Sequence, residues 1–153
     1  MNNKNFFPLI AIILVAVMGI YFLVNPSYQR SIEAKYYYEI GEYKEAYSLA
    51  QEAFSMDLYN RMASTIMAQS KTSLKYVEYI KQAKTYMRQI NTMAAKESIS
   101  QADRVRIKVM SEIMVDSYVK LAPSVITDSE LVQQAAKYHD DFEKLLEKVN
   151  KRK

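Results

Sequence analysis

Apolar residues fill positions 6–24, FFPLIAIILVAVMGIYFLV, without one charge in nineteen residues. At about 1.5 Å per residue this run spans roughly 28 Å, close to the ~30 Å hydrocarbon core of a bilayer. The pattern predicts a single transmembrane helix. Pro8 lies in its first turn, where a missing N–H costs little, and Asn25-Pro26 closes it. Phe6 and Phe7 at one end and Tyr21 and Phe22 at the other suit the two membrane interfaces. A buried helix of a soluble protein rarely runs this long without a polar residue. A cleaved signal peptide has a shorter apolar core followed by a small-x-small site, which Leu23, Val24, Asn25, Pro26 and Ser27 do not provide. The expectation is an uncleaved signal anchor.

Beyond Asn25 the pattern changes to helical periodicity, and no Gly or Pro occurs between Gly41 and Pro123. The fold class expected is all-α. Helices are predicted over 28–39, 43–56, 61–71, 74–96, 100–121 and from 127 or 128 onward. Asn60 can cap the third, and Ser100 the fifth with Asp103 in its first turn. Tyr76, Ile80, Ala83, Met87, Ile90 and Ala94 form one apolar stripe. Leu131, Ala135, Tyr138, Phe142, Leu145 and Val149 form another, read as a helix capping the core with a coiled-coil seam as alternative. Residues 122–126 are the clearest linker.

Residues 41–60, GEYKEAYSLAQEAFSMDLYN, carry Gly41, Tyr43, Ala46 and Ala53 at a recognisable spacing, and Ala34 and Tyr37 precede them. This stretch resembles the tetratricopeptide repeat (TPR). Gly41 would permit the tight turn between two antiparallel helices, and the alanines would let them approach. The sequence departs from the family pattern at Arg30, Glu33, Ala50 and Leu58. The resemblance implies a right-handed solenoid of about six helices: a best repeat at 27–60, a degenerate second at 61–97, and capping helices at 100–121 and 128–151. It also implies a concave groove for a peptide, to which Tyr28, Ser31, Lys35 and Tyr38 would contribute as partner-binding residues.

Composition excludes much chemistry. With no Cys, one His and two Gly among 153 residues, the chain offers no thiol nucleophile, Cys- or multi-His metal site, or Gly-rich phosphate loop. His139, beside Asp140 and near Glu143, is read as structural. No catalytic residue, metal or cofactor is expected. Without Lys4, the 21 basic residues become 20 against 17 acidic ones, a net of +3 beyond residue 24. That is too mild and mixed for a nucleic-acid binder. The basic tail 148–153, KVNKRK, suits a helix C-terminus, with contact to anionic lipid or a partner as alternative. Nine Met read as core filling.

Orientation is argued from two sides. Arg30, Lys35 and Lys44 outnumber Lys4 and lean towards a cytoplasmic C-terminus. A five-residue N-terminus with one Lys before an apolar run favours the opposite, because long domains translocate largely regardless of charge. The expectation is a short cytoplasmic segment at 1–5, a transmembrane anchor at 6–24, and a periplasmic domain on a bacterial inner membrane. The function expected is a non-enzymatic adaptor that contacts the bilayer through 6–24 and binds another membrane or periplasmic protein. The alternative is a structural subunit of a larger membrane machine, with homo-oligomerisation left open.

Overall fold

A computed structural model describes residues 6–151, apart from the side chains of Phe22 and Leu23. The residues at 1–5 expected to face the cytoplasm, and the end of the basic tail, lie outside these described residues. The chain is all-α: α1 Phe6–Val24, α2 Pro26–Glu39, α3 Tyr43–Met56, α4 Arg61–Ala94, α5 Gln101–Tyr118 and α6 Ser129–Lys151, with no strand among the described residues. It divides into two units, Met1–Lys71 and Thr72–Lys153.

The main departure from the sequence expectation is α4. Helices expected over 61–71 and 74–96 are one helix of 34 residues. The stretch between them, Lys71-Thr72-Ser73, has no Gly or Pro to stop a helix, and polar residues alone do not end one. The stretch 61–97, expected to hold a degenerate second repeat, therefore contains no helical pair. The other boundaries fall within a few residues of expectation.

In the first unit, α1 ends at Asn25. Its side-chain amide donates to the Tyr21 hydroxyl at 3.1 Å, and its Oδ1 accepts from Ser27 N at 3.0 Å, capping α2. Among the described residues, no single helix is long and apolar enough to cross a membrane. Phe6–Tyr21 and Pro26–Glu39, bent by 74° at the break, meet that standard together by length and composition.

α2 and α3 form a helical hairpin. The α2 terminus is a Schellman arrangement: Glu42 N donates to Tyr37 O at 2.9 Å and Gly41 N to Tyr38 O at 3.2 Å. That geometry places Gly41 at φ +84°, in the left-handed region, the reason a glycine stands there. Ala34, Ala46 and Ala50 are fully buried with Ile66 against them. Ala50, a departure from the repeat pattern, thus serves the same close approach as Ala34 and Ala46. Two other departures become surface charge: Arg30 pairs with Glu33 at 2.9 Å and reaches Glu52 of α3 at 3.4 Å.

In the second unit, the later part of α4 shares one core with α5 and α6. Tyr76, Tyr79, Ile80, Ala83, Ile90 and Met93 pack with Ile107, Met114, Ala135 and Phe142. The α6 stripe faces this core. α5 is capped by Ser100, whose Oγ accepts from Asp103 N at 3.1 Å, and Asp103 is held by Lys96 Nζ at 2.9 Å.

Candidate docking surfaces

The four residues expected to bind a partner lie along one side of α2 but differ in burial, so they do not form one exposed surface. Lys35 is exposed, 3.6 Å from Glu39. Tyr28 and Tyr38 are half-buried; Tyr28 lies edge-on to Tyr21, with ring centroids 6.4 Å apart, and Tyr38 to Tyr43 at 5.4 Å. Ser31 is fully buried. It stands on the inward stripe Ser27, Ser31, Ala34, the i, i+4, i+7 positions of one helix face. Its correct place is the interior.

What Ser31 does there is specific. Asn60, fully buried, donates through Nδ2 to Ser27 Oγ and Ser31 Oγ, both at 2.8 Å. Its Oδ1 accepts from Ala63 N at 3.1 Å, capping α4. Ser27 Oγ donates to Ala53 O at 2.8 Å and Ser31 Oγ to Ser27 O at 2.9 Å. Every named polar group has a partner, as a buried network requires. The network ties α2, α3 and the start of α4 together. The sequence showed Asn60 as a cap but not as this hub.

The second unit carries three surface features. At one end, Ile90, Ile99, Ile107, Leu145 and Val149 line an apolar cavity of about 160 Å³ rimmed by Arg104 and Lys148. Between α4 and α6 runs a groove of about 540 Å³, floored by Val77, Ile80 and Leu131 and edged by Lys81, Lys84 and Arg88. On α6, His139 stacks on Tyr118 with ring centroids 4.2 Å apart. Its Nδ1 lies 3.7 Å from Asp140 and its Nε2 3.6 Å from Glu143. His139, Asp140 and Glu143 bring one ligand atom each to within 4.8 Å of one another. Asp140 stands beside Nδ1 and Glu143 beside Nε2, and both carboxylates are exposed.

Comparison of the chain with protein-family models, with curated proteins and with solved structures returned no match.

Proposed function

We propose that this chain is a membrane-anchored, non-enzymatic helical adaptor of TPR-like character. Its helical part stands on the periplasmic side of a bacterial inner membrane and holds a segment of another envelope protein. The observation that carries the reading is α1. It has no charge in 19 residues, its described side chains are exposed, and a one-residue break joins it to a hairpin locked by buried hydrogen bonds. Such an apolar surface is stable only if something other than water covers it, and a bilayer matches its length. The hairpin turn at Gly41 and the alanine seam support the TPR-like part.

Topology tests the reading. The chain has no Cys, so a cysteine introduced at exposed Ser55 reports its side of the membrane through an impermeant thiol reagent in intact cells. Expected are resistance to alkaline carbonate extraction and labelling without lysis. Extraction by carbonate would refute the anchor, and labelling only after lysis would reverse the orientation.

A further inference from the structure

Charge is distributed unevenly among the helices. α2, α3, α5 and α6 each lie within one charge of neutrality, whereas α4 carries Arg61, Lys71, Lys75, Lys81, Lys84 and Arg88 against Glu78 alone. None of these six cations forms an ion pair with a described residue. Three of them, Lys81, Lys84 and Arg88, stand at i, i+3 and i+7 along one edge of the α4–α6 groove. The groove floor is apolar, formed by Val77, Ile80 and Leu131; Val77 is 37 % exposed.

We propose that this groove docks an acidic amphipathic segment of a partner protein. Carboxylates of the segment would meet Lys81, Lys84 and Arg88, and its apolar residues would cover Val77 and Leu131. The proposal rests on the adaptor reading and names the chemistry of the partner. A concave site with an apolar floor and cations along its edge complements an amphipathic segment in both shape and charge. A flat anionic bilayer surface would leave the floor uncovered. Three cations in a groove also fall short of the basic face that a nucleic acid requires.

The test uses the full chain in nanodiscs, with Gln134→Cys at the groove carrying an environment-sensitive fluorophore. The probe is a synthetic amphipathic helical peptide with Glu at i, i+3 and i+7 on one flank of its apolar face. Two control peptides have Gln at those positions or the same composition scrambled. Expected is a saturable fluorescence change with the Glu peptide and at least tenfold weaker binding of both controls. Lys84→Glu, or the triple change of Lys81, Lys84 and Arg88 to Gln, should cost at least tenfold with helical circular dichroism unchanged. Charge reversal of Lys120 and Lys137 together should change binding less than twofold. Equal binding of all three peptides, or full binding by the groove variants, would overturn the proposal. A fluorescence change on replacing zwitterionic by anionic lipid without peptide, abolished by the triple change, would assign the cations to the bilayer and also overturn it. Carbonate extraction, scored separately, reports the anchor, so failure of one reading is not mistaken for failure of the other.

Discussion

Asn60→Ala removes the hub of the buried network and should cost about 3 kcal/mol. Loss of the cap to Ala63 N contributes about 1 kcal/mol. The two Nδ2 hydrogen bonds to Ser27 and Ser31 contribute about 1 kcal/mol each. The sum is not larger because neither serine is left with an orphan donor: their hydroxyls still donate to Ala53 O and Ser27 O. Asn60→Asp separates the parts. It keeps the cap acceptor but replaces the amide donor with a carboxylate facing two hydroxyl oxygens. The assay is chemical denaturation of the full chain in mild detergent, followed by circular dichroism, with hydrogen exchange resolving the two units. Protection should fall in Met1–Lys71 more than in Thr72–Lys153. An Asn60→Ala protein within about 0.5 kcal/mol of wild type, below the usual cost of even one lost cap, would refute the network as a source of stability.

Gly41→Val should destabilise the hairpin by about 1–2 kcal/mol through backbone strain at φ +84°, since a Cβ there meets no atom within 4 Å; Gly41→Asn should cost less, by thermal melting. Tyr79→Phe should stabilise by about 1 kcal/mol, because the Tyr79 hydroxyl is buried without a hydrogen-bond partner. Burial first, and Tyr118 second, raise the Tyr79 pKa above its ordinary value, so wild type should lose stability as pH rises beyond about 10, where the unfolded tyrosine ionises, and the Phe variant should lose less. Asp103 is held below the ordinary carboxylate range by its hydrogen bond to Lys96 and then by Ser100. Its stabilisation is present above the unfolded pKa of about 3.9 and lost as pH falls through the folded value, so urea midpoints of wild type and Asp103→Asn should diverge near neutrality and converge in acid.

The elements were legible where one signal dominated. Gly41 marked the hairpin turn, Asn60 and Ser100 marked caps, and the 4-3-4-3-4 stripe of α6 marked its inward face. The break expected near Lys71 does not occur, because the polar stretch Lys71-Thr72-Ser73 resembles a linker in composition but has no Gly or Pro to interrupt the helix. Ser31 was assigned to a surface because position in a repeat pattern does not report burial. Its spacing from Ser27 and Ala34 did report it, since small residues at i, i+4 and i+7 mark where another helix comes close. The basic groove is not legible in the net charge of the chain, which does not report that the excess sits on α4 while the other helices are near neutral. Counting charge helix by helix would have found it.

That excess has an energetic consequence in the free protein. Lys81 and Lys84 are three residues apart and Lys84 and Arg88 four, so they are neighbours on one helix face without a carboxylate between them. Each such like-charge pair costs roughly 0.2–0.5 kcal/mol, and an opposite pair gains as much. Lys84→Glu converts two repulsions into two attractions and should stabilise the chain by about 1 kcal/mol, a melting increase of a few degrees. The same substitution should weaken binding of the acidic peptide at least tenfold. Opposite signs for stability and binding are the signature of a charge kept for an external partner. A residue that serves only solvation would move stability and leave peptide binding unchanged, and a residue that serves packing would lower stability. Lys84→Glu that melts below wild type, or binds the peptide equally well, would remove Lys84 from the docking edge.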